Sequence, residues 1–163
     1  FAAVLNALPI IALAPILNNM FESTSSVPRR IVVAIIVFFP IFINTLRGLR
    51  EVNATHVELM QSYAASGWKI LWKLRFPASL PYLFSALKIA ATASVVGAII
   101  AEPASSIQDG LGGAIVNFNQ YYSLTPNYLW ATNLIAALLG ISFFLVIVIA
   151  EKLIVRRPPE QLV

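Results

Sequence analysis

The sequence predicts an all-α protein, a polytopic bundle of transmembrane helices, on three observations. Hydrophobic residues make up 59% of the 163 residues and charged ones 11%, against about 45–50% and about 25% in soluble domains. The apolar residues gather into long runs near positions 1–21, 31–46, 80–101 and 129–150, and a helix needs roughly 20 such residues to cross a hydrocarbon core about 30 Å thick. The Lys and Arg residues crowd the ends of these runs, as the positive-inside rule expects of loops kept in the cytoplasm.

The same composition narrows the chemistry. There is no cysteine, which excludes disulfides and thiolate metal sites, and the single histidine argues against a His-based metal site. The net charge of +4 does not point to nucleic acid, because the basic residues flank oily segments. Paired carboxylates on one helical face, HExxH, a nucleophile elbow and a P-loop are all missing from the sequence, so no catalytic residue is assigned. His56 reads as a solvated loop residue.

Phe1 to Phe21 is a span or part of one, with Pro9 and Pro15 predicting a kinked helix held in a bundle. It opens without an initiator Met or a charged leader, so further chain is expected ahead of it. A polar turn at Glu22 to Ser26 and Val27-Pro28-Arg29-Arg30 lead into the second run, Ile31 to Leu46, which holds Pro40 and ends near Asn44-Thr45. Arg47 and Arg50 follow. With Lys69, Lys73 and Arg75 they set five cations against Glu51 and Glu58, which predicts a cytoplasmic loop over 51–79.

The third span, Leu80 to Ala101, is about 33 Å long at 1.5 Å per residue. Its one charge, Lys88, either snorkels to the inner interface as an anchor or enters a salt bridge within the bundle. Ala90, Ala91, Ala93, Ser94 and Gly97 offer a small-residue surface for close helix approach. The outer loop, 102–127, carries Glu102 and Asp109 but no Lys or Arg. Glu102 lies near a helix C-terminus, where the dipole disfavours negative charge. Compensation by backbone or Arg is expected, or alternatively contact with an outer partner or the solute's path. Gly110-Leu111-Gly112-Gly113 lacks the Lys and Ser/Thr of a phosphate loop, and its glycines are expected to supply positive φ in a turn. An amphipathic piece follows at Ala114 to Tyr122. The last span, Leu129 to Ala150, has Trp130 as outer anchor and closes on Glu151-Lys152 and Arg156-Arg157, before a tail opening with Pro158-Pro159. Arg29 and Arg30 fall on the outer side by this reckoning, against the rule, with Glu22, Glu102 or a partner protein as candidate counterparts.

Between the second and third spans, Glu58 to Pro81 reads ELMQSYAASGWKILWKLRFPASLP. Two helical patterns join at Ala65-Ser66-Gly67. The first has two start signals, Asn53 as N-cap or Thr55 with Glu58 as a capping box. Val57, Met60 and Ala64 share one face, with Leu59 and Tyr63 beside them. The second begins after Ser66 and puts Trp68, Leu71, Trp72 and Phe76 on one stripe with Lys69, Lys73 and Arg75 away from it. Pro77 and Pro81 are expected to stop it. An apolar and aromatic surface in a basic surround suits docking.

This stretch resembles the cytoplasmic loop of the permease subunits of binding-protein-dependent ABC importers, whose pattern is Glu-Ala-Ala, three residues, Gly, then a spacer ending in Leu-Pro. Glu58 takes the Glu place, Leu59 and Met60 the Ala places, Ala64 the Gly place, and Leu80-Pro81 closes the motif. FFPIFINTLRGLREV upstream and GLGGAI downstream resemble the nitrate, sulfonate and taurine branch. The resemblance covers nearly the whole chain. It implies a type I importer-like permease domain in the inner membrane of a prokaryote, preceded in family members by further spans. Its loop would couple to an ATPase through Val57, Glu58, Met60, Tyr63, Ala64, Ser66 and Gly67. The implied partners are two cytosolic ATP-binding subunits, a second and identical permease subunit, an external solute-binding protein and the lipid bilayer. This chain itself would hold no cofactor, ATP and Mg belonging to the ATPase. Polar candidates for the translocation path are Asn44, Thr45, Thr92, Ser94 and Asn133, and Glu102, Gly110 and Gly112 are candidates for an outer gate or binding-protein contact. Two other classes stay open from the residues alone. One is an ion-coupled carrier using Lys88; the other is a membrane scaffold whose basic loop recruits a cytosolic partner.

Overall fold

The computed structural model describes residues 10–21, 25–103 and 109–155, with side chains from residue 13 onward. The expectations for Phe1 to Pro9, for Glu22 and its pairing with an Arg, and for Arg156 to Pro159 lie outside the described residues. Within them the chain forms α1 (Ile10–Met20), α2 (Val27–Arg50), α3 (Ala54–Ser62), α4 (Gly67–Ala101), α5 (Leu111–Gln120) and α6 (Pro126–Ile154). Among the described residues three helices, α2, α4 and α6, are long and apolar enough to cross a membrane. Each is longer than its apolar run. Arg47 and Arg50, expected beyond the second span, are in the last turn of α2, where cations suit the helix dipole.

The largest interface joins α2 and α4, with α6 packed on α4, α5 on α6, and α1 against α2. Small residues explain how closely α2 and α4 approach. A Cβ placed on Gly48 would stand 2.7 Å from Cβ of Tyr82, and one on Gly97 would stand 2.6 Å from Cδ1 of Ile36. The two contacts lie toward opposite ends of the pair and show that the helices run antiparallel. Ala90 and Gly97 are buried, so the small-residue surface of α4 serves close packing. Ala14, Val32 and Ala101 form a buried cluster flanked by Leu17 and Ile36, tying α1 to the end of this pair away from Gly48. Along α6 only Thr132 is buried, while Leu134, Leu138, Ile141, Leu145, Ile149 and Leu153 are exposed, a surface that suits hydrocarbon rather than water.

One expectation is corrected along α4, and one alternative is decided. Pro77 and Pro81 do not stop the helix, which runs from Gly67 to Ala101. At Pro77 the reason is a π turn over Leu71–Arg75, where the Phe76 N–H donates to the Leu71 carbonyl five residues back, while Pro81 is carried inside the helix. In a regular α turn the ring of Pro77 would press on the Lys73 carbonyl, and the wider turn makes room for it. Pro77 then stands at the start of the regular segment Phe76–Ala101, where a missing N–H costs little. Ser79 Oγ, on a buried side chain, donates to the Phe76 carbonyl at 2.8 Å. The alternative decided is that of Lys88. Its Nζ lies 2.6 Å from Oε2 of Glu151, both side chains about a quarter exposed, so it forms a salt bridge that clips α6 to α4 instead of serving as a lone snorkelling anchor. The residues carry opposite charges near the ends of two packed spans, and the lower dielectric there strengthens their attraction relative to an open surface.

Candidate functional site

Two places concentrate the polar and strained features of the chain. One is the turn at the end of α3, on the side where the cations gather; the other is a clasp at the opposite end of α4.

Asn53 is the N-cap of α3, its Oδ1 accepting the Thr55 N–H at 3.0 Å. Thr55 therefore lies inside the helix, and the alternative capping box with Glu58 is not formed. Among the described residues Glu58 has no side-chain partner and is exposed. The helix ends in a Schellman motif. Tyr63 is the C-cap, the Ala64 N–H donates to the Gln61 carbonyl at 2.8 Å, and the Ala65 N–H donates to the Met60 carbonyl at 3.0 Å. Such an ending needs its C′ residue in the left-handed region, a place usually held by Gly. Here Ala64 holds it with φ 53°, the one non-glycine with positive φ among the described residues. The place the importer pattern gives to Gly is thus the place the backbone geometry demands it, and Ala64 carries the strain.

The exposure of α3 differs from the expectation. Val57 and Met60 are half-buried, Val57 facing a cleft it shares with Gln61, Gly67, Ile70, Leu71 and Arg75. The apolar side chains that project are Leu59, 54% exposed, and Tyr63, 80% exposed, one turn apart on the opposite face. Ser66 caps the start of α4, its Oγ accepting the Lys69 N–H at 3.5 Å, and Gly67 has open space where a Cβ would stand. Beyond it Trp68, Trp72 and Phe76 form a ladder, ring centroids 5.7 Å and 5.1 Å apart, all exposed. Residues four apart lie about 1.1 turns apart in a regular helix and closer to one full turn where the helix widens, so the rings stay in line.

At the other end, Glu102 is buried at 6% exposure just past α4. Its carboxylate accepts the Gly110 N–H through Oε1 and the Gly112 N–H through Oε2, the latter at 2.9 Å. These N–H groups belong to the N-cap and the first turn of α5, where the free donors and the dipole favour an anion. Nη1 of Arg29 lies 3.9 Å from Oε1 of Glu102 and 3.2 Å from Oδ1 of Asp109. The charge that the end of α4 disfavours is therefore met by α5 and by Arg29, and the clasp joins α2, α4 and α5. The glycines serve this approach and not positive φ, which no described glycine adopts. Gly110 is extended at φ −111°, and a Cβ on it would lie 2.7 Å from Oε2 of Glu102; one on Gly112 would run into the Ile99 carbonyl oxygen. Arg29, expected on the outer side, thus has its counterparts. Arg30 is exposed and has no side-chain partner among the described residues.

The five polar path candidates do not converge. Asn44 donates to the Pro40 carbonyl at 2.8 Å, Thr92 to Ile89 at 3.0 Å and Ser94 to Ala91 at 2.7 Å, each bonding back along its own helix. Thr45 Oγ1 is buried without a partner. Asn133 lines a cleft with Asn119, Tyr122, Leu129 and Trp130, at the end of the bundle away from Asn44. Among the described residues no group of His, Cys, Asp and Glu is placed to hold a metal ion.

A helical, multi-pass protein of the inner membrane, with a capped helix between two spans and an acid-centred clasp at their far end, is the class these features define. The chain belongs to the family of binding-protein-dependent transport system inner membrane components, whose pattern matches residues 1–158. It is 29% identical over 152 residues to a riboflavin transport system permease protein of Chloroflexus aurantiacus, covering 92% of this chain and 54% of that one. It is 34% identical over 105 residues to a formylaminopyrimidine transport permease protein of Halalkalibacterium halodurans, covering 64% and 41%. It is 29% identical over 136 residues to a putative aliphatic sulfonates transport permease protein of Escherichia coli, covering 83% and 50%. The chain spans about half the length of the curated relatives it matches.

Proposed function

We propose that the chain belongs to a permease subunit of an ATP-driven importer and contributes to the path of a small solute delivered by an external binding protein. The observation that carries this reading is α3, a helix capped at both ends that projects Leu59 and Tyr63 from the basic side of the bundle. Exposed apolar side chains on a short, fixed helix suit a groove on a partner, and no P-loop in the sequence supplies a motor within the chain. The partner is then a cytosolic ATP-binding subunit that carries ATP and Mg. Two such subunits would engage two permease copies, taken as identical. As ATP draws the ATP-binding subunits together, the paired loops follow and the spans rock between inward-open and outward-open states as rigid bodies. Glu58, free of any capping role, is available to a basic group on the partner. Relatives named for sulfonates, riboflavin and formylaminopyrimidine support a sulfonate-like or other small anion, or a vitamin precursor, as the solute. The salt bridge of Lys88 with Glu151 takes from the ion-coupled carrier the unpaired intramembrane charge that it would need.

Co-purification with the ATP-binding subunit tests the reading, comparing the native chain with the double variant Leu59→Asp and Tyr63→Asp, which changes the two projecting side chains. Loss of both the partner and ATP-driven uptake is expected. A variant that keeps both would refute docking through α3.

A further inference from the structure

We propose that the end of α2 on the basic side of the bundle is a binding site for an anionic phospholipid, its phosphodiester head held by Arg50 and Arg47 and its acyl chains laid along the apolar stripe beside them. A cleft of about 310 Å³ opens there, lined by Ile43, Leu46, Arg47, Arg50 and Glu51, a size within the range of small-molecule sites. Arg47 and Arg50 are in the last turn of α2 and Leu46 closes its apolar run, so the guanidinium groups stand where hydrocarbon gives way to headgroups. The stripe leading away from this rim is Leu46, Ile43, Phe42 and Phe38, all exposed, with the Phe38 and Phe42 rings stacked at 5.5 Å between centroids. Residues three and four apart share a helix face, which puts the stripe in line with the two arginines.

The rim is positive with its acid counted. Nε of Arg47 lies 3.8 Å from Oε2 of Glu51, both side chains more than half exposed, a pair that such exposure makes weak. Arg50 is exposed and has no side-chain partner among the described residues, so the cleft keeps one cation beyond its acid. Its surroundings do not cancel that charge. Over residues 47–75 five cations face Glu51 and Glu58, and Glu151 is taken by Lys88 at 2.6 Å. A phosphate accepts charge-assisted hydrogen bonds from the arginine fork. A free phosphate would leave the aromatic stripe uncovered, whereas a lipid meets both parts. The excess cation favours a net anionic head over a zwitterionic one, whose ammonium would find no free carboxylate in the cleft. The site needs only that α2 crosses a membrane, and not that α3 docks.

Native mass spectrometry of the full chain in a non-ionic detergent, titrated with dioleoylphosphatidylglycerol or dioleoylphosphatidylcholine, reads the affinity for the first lipid bound. Glycerol 1-phosphate, added as a competitor, is the control for a free head. The native chain is expected to bind phosphatidylglycerol about fivefold or more tightly than phosphatidylcholine, without competition from glycerol 1-phosphate at equal concentration. Arg50→Gln should lose about fivefold for phosphatidylglycerol, the worth of one cation at a lipid surface, and Arg50→Lys should keep most of the affinity. Glu51→Gln should gain about two- to fivefold by releasing Arg47. Equal affinities for the two lipids, an unchanged affinity in Arg50→Gln, or full competition by glycerol 1-phosphate would each overturn the proposal. So would a native chain that binds neither lipid and whose dimer is lost in Arg50→Gln, which would give this face to a second copy.

Discussion

Replacing Ala64 by Gly should tighten the end of α3. An L-residue in the left-handed region costs roughly 1–2 kcal/mol relative to its right-handed state, from Cβ against the following carbonyl, and Ala64 sits there at φ 53°. Glycine removes that clash but loosens the unfolded chain, a penalty of about 0.4–1 kcal/mol. The net gain is about 0.5–1 kcal/mol, since the two Schellman hydrogen bonds at 2.8 and 3.0 Å remain in both forms. Local opening of the turn would then be about two- to fivefold rarer. Native-state hydrogen exchange at the residue-65 amide, which donates to Met60, reads this directly, and Ala64→Gly should slow it by that factor. Ala64→Val should accelerate it, because a β-branched side chain tolerates positive φ less well than Ala. Exchange unchanged or faster in Ala64→Gly would refute the assignment of strain to this residue.

Three further outcomes are expected, each read by thermal unfolding in nanodiscs. Glu102→Ala strands the Gly110 and Gly112 N–H groups and the Arg29 charge, and should cost roughly 2–4 kcal/mol, with Glu102→Gln milder because an amide oxygen still accepts. Gly48→Ala drives a methyl to within 2.7 Å of the Tyr82 stem and should cost about 1–3 kcal/mol, while Gly140→Ala, with open space around it, should be neutral or stabilising. Lys88→Met leaves Glu151 without its cation and should cost about 1–2 kcal/mol, most of it recovered in the charge-swapped pair Lys88→Glu with Glu151→Lys; equal loss in both would deny the pair its role.

What could be read from the sequence follows the range of each interaction. The long apolar runs, the Asn53 and Ser66 caps and the need to compensate Glu102 depend on neighbours in the chain, and the structure places helices, caps and partners accordingly. The pairs Lys88–Glu151 and Arg29–Asp109, the second 80 residues apart, depend on which spans pack together, and no local pattern encodes that. Pro77 and Pro81 look like stops in the sequence because proline breaks a regular helix, but a π turn one step earlier removes the clash at Pro77, nothing about Leu71 to Arg75 announces it, and Pro81 is carried within the helix. Gly110 and Gly112 look like turn formers in the sequence, although closeness to Glu102 and Ile99 is what excludes a side chain there. The inward tilt of Val57 arises because the first turns of α4, at Gly67, Ile70, Leu71 and Arg75, lie beside it.

An unbroken α4 has a mechanical consequence. Thirty-five residues from Gly67 to Ala101 make a rod of about 52 Å at 1.5 Å per residue, with Ser66 and the Schellman turn at one tip and Glu102 at the other. If the rod pivots near its middle by about 10°, each tip sweeps roughly 4–5 Å in opposite senses, from that same rise per residue. A see-saw of this kind would let a push at the basic end prise Glu102 from the α5 amides without any slack to take up along the way.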